Sequence, residues 1–255
     1  MKLFKNSQTL FLKNPKQIKD KEFIFYSHLG LGDQIILSGA VKFLSEKYNK
    51  IYLVCVNKFQ NSMDVLYKNN DKVEILYLPV EFDNLAQDNS KIEKFVLSFS
   101  KQHNLKILKV GYEYQIKRLR FYESFYKQIS LNYKVSYDYF SISNDQQKIN
   151  SLNHHLKKFY NIDGSFKLIH NEHSSGVLNL KGINNKNNIY VTRESDPYNN
   201  IFLYEDLIRE ATEIHCINSS FAHLVDRIET TGKLVYHGAI GSRLKFKQNW
   251  EFIDY

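Results

Sequence analysis

Cysteine, proline, glycine and arginine are all sparse in this sequence. Two cysteines in 255 residues, Cys55 and Cys216, exclude a secreted scaffold held by disulfides. Both lie in apolar runs and read as reduced core thiols, which points to a reducing, cytoplasmic setting. Three prolines (Pro15, Pro79 and Pro197) and ten glycines exclude a collagen-like or low-complexity chain. No apolar stretch approaches the ~18 residues of a membrane span. The N-terminal segment alternates Lys and Asn with short apolar pairs and lacks the continuous apolar core of a signal peptide. Arginine occurs only at positions 118, 120, 193, 209, 227 and 243.

Aromatic residues are plentiful: 18 Phe and 18 Tyr within a 43% hydrophobic composition. That is enough apolar bulk for a sizeable core and excludes an intrinsically disordered chain. At about 150 residues per domain, the length suits one large domain or two small ones. The net charge of +8 is carried by lysines scattered along the chain. Scattered Lys with abundant Asn is the surface usage an AT-rich genome supplies. A basic nucleic-acid-binding protein is the competing reading, but the lysines do not cluster and no RNP, KH or zinc-finger pattern occurs.

Short apolar runs alternate with helical periodicity, which predicts α/β units. Strands are expected at 23–26, 51–56, 73–78 and 106–110, with helices at 34–48, 62–68 and 92–102. The Tyr-rich stretch 122–139 reads as helix followed by extended chain. A polar helix at 145–160 precedes a second alternation. There, strands are expected at 166–169, 187–192, 214–217 and 233–237, and helices at 203–211 and from 218 to 228. The predicted fold class is α/β, with two Rossmann-like domains facing a cleft and the second reduced. The domains are placed at 1–145, on the acceptor side, and 146–255, binding the nucleotide sugar.

Four places carry residue types suited to chemistry. His28-Leu-Gly30-Leu-Gly32-Asp33 follows the first strand. Its glycines permit close backbone approach and positive φ, and the helix start offers unpaired amides. Asp33 is then either a general base or a helix cap. The segment is not a dinucleotide fingerprint, because Ile35 stands where a third glycine would fall, and it lacks the Lys-Ser/Thr of a P-loop. In the second half, Asn218, Ser219 and Ser220 lead from a strand into a helix, a geometry that suits a diphosphate. His223 falls on the face of Ser219 and either donates to a phosphate or sugar or sits partly buried beside a serine cap. The polar turn His170 to Gly176 contains Ser174 and Ser175. It also holds His170, Glu172 and His173, whose spacing fits no strong zinc signature. Arg193 follows a strand and is either a phosphate fork or an ion-pair partner of Glu194 or Asp196. His237 and Arg243 are weaker candidates of the same kind.

The Gly-Leu-Gly-Asp33 turn resembles the N-terminal signature of heptosyltransferase-like glycosyltransferases of GT-B architecture. The segment from Glu213 to Leu224 resembles their C-terminal signature, with Asn218 where the family usually has Asp. The His170 to Gly176 turn is similar to the first loop of the C-terminal domain in small members of the group. The resemblance implies transfer of a sugar from a nucleotide-diphosphate sugar to a glycan or lipid-linked glycan acceptor, with no cofactor and no obligatory metal. Asp33 matches the base that deprotonates the acceptor, with His28, Gly30 and Gly32 forming its loop. Ser219 and Ser220 match diphosphate-binding positions and His223 a residue near the donor, to which Ser174, Ser175, Arg193 and Asn218 are added as donor-binding candidates. A role in polysaccharide biosynthesis follows, with peripheral membrane contact where the acceptor is lipid-linked. No nucleic-acid partner is expected. An epimerase or phosphorylase on the same fold is the alternative enzyme.

Overall fold

The computed structural model describes residues 11–12, 15–27, 29–80, 89–111, 116–143, 145–173, 176–184, 186–239 and 244–255. The chain divides into two compact units, Met1–Ser143 and Asn144–Tyr255.

The first unit contains strands β1 (Phe11–Leu12), β2 (Glu22–Tyr26), β3 (Lys50–Val56), β4 (Val73–Leu78) and β5 (Lys106–Lys109). Its helices are α1 (Leu31–Ser45), α2 (Gln60–Tyr67), α3 (Asn89–His103), α4 (Phe121–Gln128) and α5 (Val135–Asp138). The strands form one parallel sheet in the order β1-β5-β2-β3-β4. Phe23 to Tyr26 and Leu53 to Val56 are buried without alternation. Such runs mark strands covered on both faces, as parallel sheets require. The chain steps from β2 through β3 to β4 on one side and returns with β5 on the other. The switch point of the sheet therefore lies at β2 and β5, the place where open α/β sheets leave a crevice beyond their carboxyl ends.

Helix α1 begins three residues before the expected position, at Leu31. Gly30 takes an extended N-cap conformation (φ −67°, ψ 142°), and the amide of Gln34 donates to the Gly30 carbonyl at 3.0 Å, closing the first turn. The expected tight glycine turn is thus mostly helix, and neither Gly30 nor Gly32 has positive φ. The stretch after Tyr122 is helix α4 and then the short helix α5, not extended chain. Both pack on α1. The Tyr126 hydroxyl donates to the Ile36 carbonyl (2.8 Å) and accepts from the Ala40 amide (3.1 Å), inserting into the backbone ladder of α1. Gly39 makes the α5 contact possible, since a Cβ there would overlap the Val135 carbonyl and Ser136 Cα. The Gly39→Ala variant is therefore expected to lose roughly 1–3 kcal/mol through overpacking. Chemical denaturation measures this, and an unchanged midpoint would contradict the close α1–α5 approach.

The second unit contains α6 (Gln146–Phe159), β6 (Lys167–His170), β7 (Glu172–His173), β8 (Gly176–Val177), β9 (Asn188–Tyr190), α7 (Glu205–Glu210), β10 (Glu213–Ile217), α8 (Ser220–Val225), β11 (Lys233–His237) and β12 (Trp250–Ile253). Its parallel sheet runs β12-β11-β10-β6-β9. From β6 the chain moves outward to β9, then crosses to β10 and continues to β12. The switch point is between β6 and β10. The polar turn after β6 folds as the small antiparallel hairpin β7–β8. Asp145 caps α6 by accepting from the amides of Gln147 and Lys148.

Strand β12 lies beyond the last strand expected from the sequence. Polar residues precede it and Glu251 interrupts its apolar character. Helix α8 stops at Val225, earlier than periodicity suggests, because Asp226 turns inward. Its carboxylate accepts from the amides of Lys247 (3.0 Å) and Gln248 (3.0 Å) and from Trp250 Nε1 (3.1 Å), fastening β12 to the end of α8. Both cysteines are buried free thiols. Among the described residues, no helix is long and apolar enough to cross a membrane.

Candidate active site

In the first unit, β2 delivers the chain to Gly30, and Asp33 follows as the third residue of α1. Asp33 is not the cap, because that position belongs to Gly30 and no side chain caps the helix. Its Oδ2 would lie 2.9 Å from a Cβ placed on Gly30. The missing side chain of Gly30 is what leaves room for the carboxylate. No hydrogen bond from a described residue reaches Asp33. The positive end of α1 favours its charged form, but desolvation is larger and raises its pKa from 3.8 to about 7. A half-buried carboxylate without a partner, poised near neutral pH, has the properties of a general base. The Gly30→Ala variant is expected to keep its melting temperature, since alanine readily adopts the Gly30 backbone angles. Its methyl group would displace the carboxylate, lowering turnover by about tenfold or more by misplacing the base. Unchanged turnover would contradict the fit between Gly30 and Asp33.

In the second unit, the expected donor-side residues separate into three groups. Asn218, Ser219 and Ser220 are half-buried at the β10–α8 junction. Ser219 is the N-cap of α8 and accepts from the Ala222 amide at 3.3 Å. Its hydroxyl proton remains available to donate. Arg193 follows β9 and is exposed. It pairs with neither Glu194 nor Asp196. Its backbone amide donates to Glu172 Oε2 at 2.9 Å, and its Nε lies 3.7 Å from Glu172 Oε1. Asp196 instead accepts from the amides of Tyr198 and Asn200. The sheet order β10-β6-β9 puts the serine junction and Arg193 on one carboxyl edge, on either side of β6.

His223, within α8, is buried. Desolvation, with the nearby charge of Arg227, lowers its pKa to about 3. The ring is therefore neutral at physiological pH, and any hydrogen bond it gives to a ligand is that of a neutral imidazole. His237 is occupied, hydrogen-bonded to His215 (2.9 Å) and Tyr255 (2.8 Å). His28, Ser174, Ser175 and Arg243 lie outside the described residues. His170, Glu172 and His173 do not form a metal-holding group, and none of three or more His, Cys, Asp or Glu occurs among the described residues.

No protein-family model matches the sequence, and no curated protein matches it. Among solved structures, the crystal structure of the glycosyl transferase family 9 from Veillonella parvula DSM 2008 matches with a TM-score of 0.57 at 9% identity, covering 92% of this chain and 87% of that chain. The fold is that of a family 9 glycosyltransferase. Two structures of the E. coli heptosyltransferase WaaC are also similar. One contains ADP-2-deoxy-2-fluoro heptose (TM-score 0.43, 10% identity, 91% of this chain and 92% of that one). The other contains ADP (TM-score 0.42, 10% identity, 91% and 93%). The glycosyltransferase fold agrees with the α/β class expected from the sequence, with two Rossmann-like domains each built on a five-stranded parallel sheet.

Three relations among these residues were not legible in the sequence. The gap at Gly30 that admits the carboxylate depends on backbone angles that no motif encodes. Glu172, which orients Arg193, is 21 positions away in the chain. Phe221 stacks on His170 with ring centroids 5.3 Å apart, a contact between residues 51 positions apart in the chain.

Proposed function

We propose that the chain is a glycosyltransferase that moves a sugar from a nucleotide-diphosphate sugar to a hydroxyl of a glycan or lipid-linked glycan, with Asp33 as general base. The observation that carries this reading is the Asp33 carboxylate: unpartnered among the described residues, at the switch point of its sheet, with its pKa raised to about 7 by burial. The fold shared with the family 9 glycosyltransferase of Veillonella parvula supports it.

In this reaction the acceptor oxygen attacks the anomeric carbon and its proton passes to Asp33. The bond from that carbon to the diphosphate breaks, and negative charge grows on the leaving group. Hydrogen-bond donors at the β10–α8 junction (the Ser219 and Ser220 hydroxyls and the free amides of the first turn) stabilise that charge. Asn218 is a neutral partner where a carboxylate would repel phosphate. Arg193, exposed and only loosely held by Glu172, supplies a cation at the same edge. Ser174 and Ser175 complete the donor-binding set, and His28 and Gly32 complete the Asp33 loop.

We assign the reaction no cofactor or obligatory metal, so a chelator is expected to leave turnover unchanged. The two free thiols suit a cytoplasmic setting, with peripheral membrane contact when the acceptor is lipid-linked. A thermal-shift screen over ADP, GDP, UDP, CDP and their sugars tests the reading. At least one ligand is expected to raise the melting temperature, because a ligand that binds only the folded state stabilises it. No shift with any of them would contradict the proposal.

A further inference from the structure

One face of the second sheet carries a chain of polar side chains that the mechanism above does not use. His215 in β10 and His237 at the end of β11 are buried, at 3% and 0% exposure. His215 pairs in register with Ile169, and His237 with Ile217. Those two isoleucines form an apolar cluster with Leu180. Nδ1 of His215 lies 2.9 Å from Nε2 of His237, and Nδ1 of His237 lies 2.8 Å from the Tyr255 hydroxyl. The same hydroxyl accepts from the Lys181 backbone amide at 2.7 Å, and the Lys181 ammonium sits 4.4 Å from the centre of the Tyr255 ring. Tyr255, the outermost member, is 47% exposed. Leu178, just upstream of Lys181, exchanges two hydrogen bonds with Asn171 (2.9 and 2.7 Å), the residue before β7. What holds Lys181 in place therefore also steadies the root of the β7–β8 hairpin.

Two ring nitrogens in hydrogen-bond contact share one proton, whichever of them bears it, because two N–H groups facing each other at that distance repel. The closed pair thus holds at most three protons on its four nitrogens, whereas two imidazolium rings hold four. The surrounding charges do not relieve this. Glu213 Oε1 lies 3.4 Å from His215 Nε2 but also 3.8 Å from Lys233, and its other oxygen pairs with Lys167. Lys233 pairs further with Glu251 of β12. At the outer end stand Lys181, over Tyr255, and Asp254, whose carboxylate borders Gly238. Burial lowers the pKa of both rings, that of His237 to about 4, so the closed pair is neutral near pH 7. In water each ring protonates near its ordinary value of about 6.5. Opening therefore takes up at least one proton below that pH, and acid favours the open form.

We infer that Tyr255 and the His215–His237 pair form an acid-sensitive latch: at neutral pH the Tyr255 hydroxyl holds the segment around Lys181 against the second sheet, and in mild acid both imidazoles take protons and the segment comes free. The latch involves no nucleotide and stands independently of the proposed function. Its opening loosens the root of the hairpin whose Glu172 holds Arg193.

Amide hydrogen exchange of the ligand-free full chain, resolved by residue with NMR from about pH 7.5 to 5, tests this. Relative to the intrinsic exchange rate, protection of the Lys181 amide is expected to fall about tenfold or more between about pH 6 and 5, while the amides of β10 stay better protected. Constant protection overturns the latch. Equal protection of Lys181 and β10 at every pH also overturns it, since that is unfolding of the whole unit. Tyr255→Phe is expected to abolish both the protection of Lys181 and its pH dependence, and wild-type protection in this variant overturns the role of the hydroxyl. His215→Asn keeps a side-chain partner for His237 but removes one titrating group, so the fall per pH unit is expected to shrink by about tenfold. An unchanged fall overturns the proton count. The wild-type measurement decides the latch by itself if either variant fails to fold.

Discussion

Replacing Asp33 with asparagine is expected to remove transfer activity and, at pH 8, to make the protein more stable. Loss of a positioned general base typically lowers the rate by about 10²–10⁴-fold. The stability gain follows from the same carboxylate. Burial raises its pKa from 3.8 to about 7, so between these values the unfolded chain ionises while the folded protein keeps its proton. Stability therefore falls as the pH rises through that window and levels off above about 7. The full difference corresponds to at most about 4 kcal/mol. Water reaching a half-buried group reduces this, and about 1–3 kcal/mol is expected. Asparagine carries no such penalty and keeps nearly the same volume. Denaturant titration at pH 5 and pH 8 measures the difference between variant and wild type. It is expected to be larger at pH 8, and a variant less stable than wild type at pH 8 would contradict the desolvated carboxylate.

Asp226→Ala is expected to be the most damaging substitution to the second unit. The carboxylate is buried and accepts from two backbone amides and the Trp250 indole. Removing it leaves those donors without their acceptor in the interior. Breaking such a buried charged network typically costs about 3–5 kcal/mol. The loss is expected at β12, an edge strand that pairs with β11 alone in the sheet and that this carboxylate ties to α8. Trp250 is the single tryptophan of the chain and stacks on Phe246 at 4.4 Å, so its fluorescence reports the region directly. A red-shifted emission with a lowered unfolding midpoint is expected. Wild-type emission at an unchanged midpoint would show that β12 is held by other contacts.

The fold was legible wherever periodicity and burial agree. Strand β11 occupies the position its apolar run marks, because an inner strand of a parallel sheet is covered on both faces, and the edge strand β4 is marked by Ile75 to Leu78 although Glu74 is exposed. The start of α1 was less legible: Gly-Leu-Gly is turn chemistry by composition, yet the helix begins within it because Gly30 needs only an ordinary extended conformation. The two readings of Asp33, base or cap, differ by where the helix begins, and residue types alone do not decide that. His223 shares a helical face with Ser219, but tertiary packing determines that it is buried and its ring neutral. Arg193 has acidic neighbours on its own loop, and the fold nevertheless brings it Glu172 from the β7 hairpin. Strand β12 escaped notice because a strand with Glu251 at its centre carries a weak apolar signal, and its anchor, Asp226, lies far upstream.

The most direct measurement is the pH dependence of sugar transfer, followed in single turnover from about pH 5.5 to 9 with wild-type protein and Asp33→Asn, using whichever nucleotide sugar shifts the melting temperature. If Asp33 is the base, the wild-type rate climbs with pH through one ionisation near 7 and reaches a plateau, while the variant is slower by at least about a hundredfold and shows no such ionisation. A variant that transfers sugar at close to the wild-type rate, with the same rise near pH 7, would contradict the assignment of Asp33.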